Sequence, residues 1–216
     1  AIDGINALDE AITVATLPPM RAVVEGEMVA TVKIIPFAVP RPSIEAALGP
    51  ARAAALHVEA FRPMTVSVVS TILPGLKPSV VDKTARVLES RLAPAGARLV
   101  GHAKVAHARD ELATAIRRAE AEADVVIVFG ASAITDRRDV IPAAIEAADG
   151  RIEHFGMPVD PGNLLLIGRS AGGKPVIGAP GCARSPKENG FDWVLNRILA
   201  GVPVTSADIR RMGAGG

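Results

Sequence analysis

From residue 63 onwards, short apolar segments alternate with segments that carry apolar residues at helical spacing. This alternation is typical of a mostly parallel sheet covered on both faces, because parallel strands need long crossover connections, which are usually helices. The predicted strands are residues 65–70, 97–105, 125–129, 164–167 and 174–178. The predicted helices are residues 80–92, 109–123, 141–148 and 185–200. We therefore predict an α/β fold, a three-layer doubly wound sheet with helices on both faces.

The region before residue 63 has a different pattern. Two β-rich runs, residues 21–24 and 28–35, are separated by a turn sequence at 25–27, which predicts a hairpin. Prolines then interrupt regular structure, and Ser43 is predicted to cap a short helix over residues 43–48. The α/β domain is thus expected to carry a small N-terminal β appendage.

These patterns divide the chain into three parts. We expect a β-rich appendage and linker at residues 1–62, an α/β domain at 63–203 and a C-terminal tail at 204–216. The sequence opens at Ala1 without an initiator Met or a basic leader, so we expect it to be part of a longer protein.

Composition argues against several classes of protein. The 24 Lys and Arg residues nearly balance the 23 Asp and Glu residues, so the chain lacks the positive field that general nucleic-acid binding needs. Cys182 is the single cysteine, which excludes an internal disulfide and a multi-thiolate zinc site. The four histidines lack zinc-ligand spacing, and no apolar run approaches the roughly 20 residues of a membrane span. We expect a soluble, cytoplasmic protein that binds neither nucleic acid nor membranes.

The first candidate functional loop, residues 130–142, follows the most apolar predicted strand and leads into a helix. Its small residues, Gly130 and Ser132 among them, allow backbone N–H groups to approach an anion. Asp139 lies beside the helix start, where a carboxylate can cap the helix, hold a metal ion or accept a hydrogen bond from a ligand. The loop is neither a Walker A motif nor a GxGxxG motif, which argues against nucleotide hydrolysis.

The second loop, residues 178–189, also follows a predicted strand and precedes a helix. Ser185 is the predicted N-cap of that helix, and Pro186 its first residue. Arg184 and Lys187 flank this helix start and could clamp a phosphate, although the same pattern also fits a capped helix without a ligand. Cys182 lacks a paired base and is interpreted as a small buried residue rather than a nucleophile.

Both loops resemble motifs of the molybdopterin-binding domain of molybdenum cofactor biosynthesis, of the MoaB/Mog type. RRDVIP at residues 137–142 resembles the end of that family's GGTG…RRDVTP segment, and GAPGCARSPKE at 178–188 resembles its GLPGxPxSxKE signature. The stretch IEHFGMPVDPGNLLLIG, residues 152–168, is similar to the segment that precedes this signature in the metal-inserting branch. The resemblance runs over residues 65–200, with the motifs in the same order.

The resemblance implies a ligand, namely molybdopterin or its adenylylated form. Ser185 and Lys187 would hold the phosphate together with the loop glycines, and Asp139 would be the catalytic acid close to the dithiolene. The residues expected to bind the cofactor are Gly130, Ser132, Asp139, Pro180, Gly181, Arg184, Ser185 and Lys187. Magnesium is a candidate companion ion that would screen the phosphates, and no protein-held metal site is expected.

The resemblance also bears on partners. A molybdoenzyme or another cofactor-assembly protein is the expected partner. The aliphatic composition, with 3% aromatic residues and a mean hydropathy of +0.31, together with the resemblance, predicts a homo-oligomer.

Three departures from the family pattern bear on activity. Ala131 stands where the first loop usually has a second glycine, and His107 stands where a carboxylate usually follows a V-P-D-D strand end. Residues 71–76, TILPGL, replace the usual glycine-aspartate-glutamate signature. A neutral His cannot supply the negative charge of an acid, so we expect binding with slow transfer chemistry.

Three function classes follow. The domain could promote metal insertion or nucleotide transfer by orientation and charge, as a molybdenumtransferase or an adenylyltransferase-like enzyme. It could instead be a non-catalytic module that stores the cofactor or delivers it to a molybdoenzyme. A nucleotide or sugar-phosphate binder on a similar sheet is the third class, and it would bind without any need for the pterin.

Overall fold

The computed structural model describes residues 2–51, 56–75 and 78–213. The chain forms two compact units, Ala1–Glu59 and Ala60–Gly216. Parts of the predicted linker, residues 52–55, and of the predicted tail, residues 214–216, lie outside the described residues. Leu76, the last residue of the TILPGL segment, also lies outside them.

The first unit contains two short strands and two helices. Its elements are α1 (Ile2–Asn6), β1 (Ile12–Thr16), β2 (Ala30–Ile34) and α2 (Arg41–Ala51). The antiparallel partner of β2 is β1, so the hairpin strand predicted at 21–24 is wrong. The physical reason is burial: Ile12 of β1 packs with Ile5 and Ala47 in a small core, whereas no side chain of residues 21–24 is fully buried.

The helix of the first unit also begins earlier than predicted. It starts at Arg41, directly after Pro40, so the predicted cap at Ser43 is wrong. Proline is well tolerated at a helix start because its missing N–H is not needed there. The Ala11 N–H donates to the Asp9 carboxylate at 3.0 Å and lowers the pKa of Asp9, with a smaller contribution from the Ser43 side chain.

The second unit is an α/β domain with a six-stranded sheet in the order β4-β3-β5-β8-β7-β6. Strands β4, β3, β5 and β8 are parallel to one another, while β7 is antiparallel to both β8 and β6. Its strands are β3 (Thr65–Ile72), β4 (Arg98–Ala106), β5 (Val125–Phe129), β6 (Arg151–Phe155), β7 (Leu166–Arg169) and β8 (Pro175–Ala179). Its helices are α3 (Pro78–Leu92), α4 (Arg109–Glu122), α5 (Val140–Ala147), α6 (Gly190–Leu199) and α7 (Ser206–Arg210). The predicted mostly parallel α/β fold is confirmed.

Helices cover both faces of this sheet. On one face α3 and α6 pack their apolar side chains, such as Leu88 and Phe191, against the strands. On the other face α4 and α5 do the same with side chains such as Ile116 and Ile145. The central strand β5 is buried along its whole length, which explains its continuous apolar sequence.

Two elements of the second unit were missed by the sequence patterns. β6 lies at the edge of the sheet and reads RIEHF, in which charged residues hide the strand signal. The short helix α7 lies in the segment expected to be a tail, and its Ile209 is fully buried in the same core as Val204 and Met212.

The order of the strands places a crevice at one end of the sheet. The chain passes from β3 to β4 on one side, and then to β5 on the other side of β3. In doubly wound sheets such a reversal opens a crevice beyond the carboxyl ends of the strands, where ligands bind. The loops after β3, β4, β5 and β8 all leave from this end.

Candidate functional site

A cavity of about 190 Å³ lies between the two loops singled out by sequence. The loops start side by side because Phe129 of β5 and Ala179 of β8 are neighbours in the sheet. The lining residues are Val80, Gly130, Ala131, Ser132, Ala133, Ala179, Gly181 and Arg184. A larger groove of about 450 Å³ runs between β4 and α4, but neither motif contributes to it. We take the smaller cavity as the candidate site because strand order and both motifs converge there.

Small residues shape this cavity in two ways. A Cβ on Gly130 would lie 2.6 Å from the Ser132 carbonyl oxygen and 2.8 Å from Ile141, so glycine is required for the backbone to pack there. A Cβ on Gly181 would meet no atom within 4 Å. Gly181 therefore leaves open space in the cavity wall that a ligand could fill.

The second loop differs locally from the prediction. After Pro180 it forms a short 3₁₀ turn, Gly181–Arg184, and helix α6 begins only at Gly190. The N-cap is Asn189, whose side chain accepts a hydrogen bond from the Phe191 N–H, while Asp192 accepts one from the Asn189 N–H. The predicted helix start at Ser185 is therefore wrong, because this reciprocal capping box fixes the start at Asn189.

Arg91, on α3, holds the second loop in place through its side chain. Its guanidinium pairs with Asp192 at 2.5 Å and donates to the carbonyl oxygens of Ala183 and Ser185, each at 2.7 Å. The Arg91 and Asp192 side chains are only 9% and 14% exposed. This pair holds the 3₁₀ turn and the start of α6 in one arrangement.

Arg184 joins the two loops. Its guanidinium donates to the Gly130 carbonyl oxygen at 2.8 Å and to Thr84 Oγ1 at 2.9 Å, and it lies 5.2 Å above the Phe129 ring. Burial lowers the pKa of Arg184, although an arginine remains charged at neutral pH. Arg184 lines the cavity, so it gives the site a fixed positive charge while it ties one wall to the other.

Asp139 braces the first loop from within. The residue is the N-cap of α5, yet its side chain makes no capping bond. Its Oδ2 accepts hydrogen bonds from the N–H groups of Thr135 at 2.7 Å and Asp136 at 2.9 Å, and these bonds lower the pKa of Asp139. Asp139 is not among the residues that line the cavity.

His107 connects three strand ends next to the cavity. Its Nδ1 is 2.8 Å from Thr71 Oγ1 at the end of β3, and its Nε2 is 3.0 Å from Ser132 Oγ in the first loop. Thr71 Oγ1 also accepts the N–H of Ala131 at 2.8 Å. Burial lowers the pKa of His107, and the Asp139 carboxylate acts in the opposite direction. The ring is therefore neutral at neutral pH.

The residues predicted from sequence fall into two groups. Gly130, Ser132, Gly181 and Arg184 line the cavity. Asp139, Pro180, Ser185 and Lys187 do not. The Ser185 hydroxyl accepts the Lys187 N–H at 3.3 Å, and both residues are exposed on the rim of the second loop.

Sequence reasoning missed the supporting residues Thr71, Thr84 and Arg91. Thr71 and Thr84 are buried, and a buried hydroxyl needs a hydrogen-bond partner. Each of them lies on an element whose apolar residues were interpreted only as part of the hydrophobic core. A polar residue in an otherwise apolar strand end, as in β3, is the one signal that could have drawn attention to them.

The described residues contain neither a cluster of metal ligands nor a membrane-spanning helix. Within residues 2–51, 56–75 and 78–213, no three His, Cys, Asp or Glu side chains gather closely enough to hold a metal ion. In the same ranges, no helix has both the length and the apolar character of a membrane span.

The fold and the facing loops define a doubly wound α/β domain with a crevice at the switch point of the sheet. Residues 65–201 match the family model described as "Probable molybdopterin binding domain". Since this match covers more than half of the chain, the chain belongs to that family of molybdopterin-binding domains. The family supports a role in molybdenum cofactor biosynthesis and a pterin-type ligand.

Two solved structures are similar to this chain. One is the molybdopterin biosynthesis MoeA protein from Pyrococcus horikosii, at 25% identity and a TM-score of 0.44 over 82% of this chain. The chain spans 43% of the length of that structure. The other is the protein CinA with unknown function from Thermoplasma acidophilum, at 18% identity and a TM-score of 0.47, covering 65% of this chain and 99% of that one. No curated protein sequence matches the chain.

Proposed function

We propose that the second unit binds molybdopterin or its adenylylated form in the cavity between the two motif loops during molybdenum cofactor assembly. The observation that carries the proposal is the open space at Gly181, in a cavity that both motifs enclose. Arg184 contributes a fixed positive charge and Ser132 an exposed hydroxyl to this cavity. Both suit a ligand with anionic oxygens.

Two exposed residues beside the cavity are placed to hold the phosphate of the ligand. Ser185 and Lys187 lie on the surface of the second loop, next to the turn that begins at Gly181. An exposed ammonium group is free to approach a phosphate as a point charge. We therefore assign the phosphate end of the ligand to this rim and the remainder to the cavity.

The assistance given to metal insertion or nucleotide transfer would come from orientation and charge rather than from a covalent intermediate. Asp139 would act from the edge of the site, because its Oδ2 is already engaged by the loop. The described residues offer no cluster of metal ligands, so magnesium would be held mainly by the phosphates of the ligand.

A carrier role is the second candidate, and one observation favours it. The described residues that line the cavity include no carboxylate and no histidine. The nearest histidine, His107, is kept neutral by burial. A site of this kind can hold a ligand and release it unchanged, either for storage or for delivery to a molybdoenzyme or another assembly protein.

The binding proposal is tested by filling the open space at Gly181. Gly181→Ala and Gly181→Val should keep the fold, since no protein atom lies near the added Cβ, and they should weaken molybdopterin binding in that order. We expect a loss of about tenfold or more for the valine variant. Gly49→Ala is the matched control, because its Cβ also meets no atom and it lies in the first unit.

The ligand itself is identified by mass spectrometry of small molecules that copurify with the protein. A pterin in the wild-type sample, reduced in Gly181→Val and retained in Gly49→Ala, is the expected result. Equal molybdopterin affinity in all three proteins would contradict the assignment of the cavity. A nucleotide or sugar phosphate bound in place of the pterin would favour the third class of function.

The choice between enzyme and carrier is tested at His107. We expect the wild-type protein to bind molybdopterin but to transfer metal or nucleotide slowly. His107→Asp places a negative charge beside the loop, so it should raise the rate of transfer. Rapid transfer by the wild-type protein would refute the carrier role.

Assembly is a separate proposal. We propose a homo-oligomer, supported by the exposed apolar side chains of the first unit, which include Val24, Met28 and Phe37. Light scattering at tens of micromolar protein measures the mass directly, and a monomeric mass would contradict the proposal.

A further inference from the structure

The hydrogen bonds through His107 determine which ring nitrogen carries the proton. The Thr71 side chain is fully buried, and its described hydrogen-bond partners are the Ala131 N–H and His107 Nδ1. A backbone N–H can only donate, so Thr71 Oγ1 accepts that bond. The Thr71 hydroxyl hydrogen then needs a buried acceptor, and His107 Nδ1 supplies it.

The role of Nδ1 as an acceptor also determines the protonation of the other ring nitrogen, Nε2. If Nδ1 is the acceptor in a neutral imidazole, the hydrogen is on Nε2. Nε2–H then donates to Ser132 Oγ, 3.0 Å away. Ser132 Oγ accepts this bond with one of its two lone pairs, and its own hydrogen remains available to another group.

Ser132 is exposed and lines the cavity, so the available hydrogen can reach a ligand there. We propose that His107 is a positioning residue which, with Thr71, holds Ser132 as a hydrogen-bond donor to an oxygen acceptor of the ligand. This inference rests on the proposed function for the identity of the ligand. The tautomer of His107 follows from the protein alone.

Protonation of the ring would disrupt this arrangement. A hydrogen on Nδ1 would face the Thr71 hydroxyl hydrogen, and the buried hydroxyl would have to turn towards another acceptor. The groups that face the ring are neutral Thr71 from β3, neutral Ser132 from the first loop and the Asp139 carboxylate at the start of α5. Burial lowers the pKa of His107, in agreement with this geometry.

The tautomer is tested by long-range ¹H–¹⁵N NMR of the histidine rings in the ligand-free full chain. We expect wild-type His107 to show an unprotonated Nδ1 and a protonated Nε2. Thr71→Ser keeps the hydroxyl and should keep this signature. Thr71→Val has the same shape without the hydroxyl, and it should give a mixture of tautomers. A wild-type ring protonated on Nδ1 would overturn the proposal, and that result does not depend on any variant.

The donor role of Ser132 is tested by binding of molybdopterin to Ser132→Ala. We expect a loss of about tenfold, as for a hydrogen bond to a charged oxygen. Ser206→Ala is the matched control, because it removes a serine–histidine bond of 2.7 Å to His154 that does not belong to the cavity. Unchanged affinity in Ser132→Ala would overturn the donor role. If wild-type protein does not bind molybdopterin, the proposed function and the ligand contact both fall, while the NMR result still decides the positioning role.

Discussion

The two loops around the cavity are held in place by opposite means. The first loop is braced by its own residues: Asp139 accepts from Thr135 and Asp136, and Asp136 pairs with the exposed Arg138. The second loop is held from a distance by Arg91, through a largely buried ion pair and hydrogen bonds to three carbonyl oxygens. Local bracing of this kind is visible in the sequence motif, whereas distant bracing is not.

This difference predicts different mechanical properties for the two loops. Exposed ion pairs contribute little to stability, and the hydrogen bonds of Asp139 close only a few residues of chain. A buried ion pair is costly to break, because the remaining charge has no partner. We therefore expect the second loop to be the more rigid wall of the cavity.

The largest expected effect comes from Arg91→Ala. Removal of the guanidinium leaves Asp192 without its partner and two carbonyl oxygens without a donor, so the free energy of unfolding should fall by about 3 kcal/mol or more. Chemical denaturation measures this change. Arg86→Ala is the control on the exposed face of the same helix and should change stability by less than about 0.5 kcal/mol. Equal effects of the two substitutions would remove the basis for the comparison.

Lys187→Glu changes an exposed side chain of the second loop and keeps the Lys187 carbonyl oxygen that accepts a hydrogen bond from Arg91 at 3.3 Å. Lys187 is exposed, so folding should be unaffected, but the reversed charge should weaken molybdopterin binding by about 1 kcal/mol or more. Titration calorimetry at low salt measures the affinity. Unchanged binding would place the phosphate elsewhere, and Lys83→Glu, on the exposed surface of α3, serves as the charge control.

Asp139→Asn tests the local brace. The asparagine retains a carbonyl oxygen for the Thr135 and Asp136 N–H groups, so the loss of stability should be smaller than for Arg91→Ala. Hydrogen exchange at Thr135 and Asp136 should increase, while the second loop stays protected. Faster exchange in both loops would show that they form one mechanical unit.

The smallest expected effect is the pH dependence of stability that the partly buried histidines cause. Burial lowers the pKa of His102, His107 and His154, so the unfolded chain binds more protons than the folded one as the pH falls. Stability is therefore complete above the ordinary histidine pKa of about 6.5 and declines below it, as the pH approaches the folded pKa values. The denaturation midpoint should fall as the pH is lowered from 7 to 5. This fall should be less steep in His107→Asn than in the wild-type protein. A rise towards pH 5 would contradict these directions.

The aspartates of the first loop respond to pH lower down. Hydrogen bonds from Arg138 lower the pKa of Asp136 to about 2, and those from Thr135 lower that of Asp139. Both carboxylates therefore stay charged throughout the range in which the histidines titrate, so the two effects can be separated.

The sequence by itself determined the mostly parallel α/β fold and the two loops that border the candidate site. The bounds of β5 were predicted residue for residue, because a strand buried on both faces is continuously apolar and its signal is local. The two motif loops were located for the same reason, since small residues and turn formers follow each of two strands. The first-unit hairpin was wrong because residues 21–24 and the unpredicted strand β1 are both short β-rich runs, and only the burial of Ile12 selects β1.

The tertiary structure decided how the site is built. Arg91 contacts Ser185 across 94 positions, Arg184 contacts Gly130 across 54, and His107 lies 36 positions from Thr71. No local pattern reports such pairs, because each depends on which strand ends the sheet order brings together. The start of α6 at Asn189 instead of Ser185 has a related cause, since Asp192 both caps the helix and pairs with Arg91. Strand order thus brings two recognisable motifs together around one cavity, and long-range hydrogen bonds decide which groups line it.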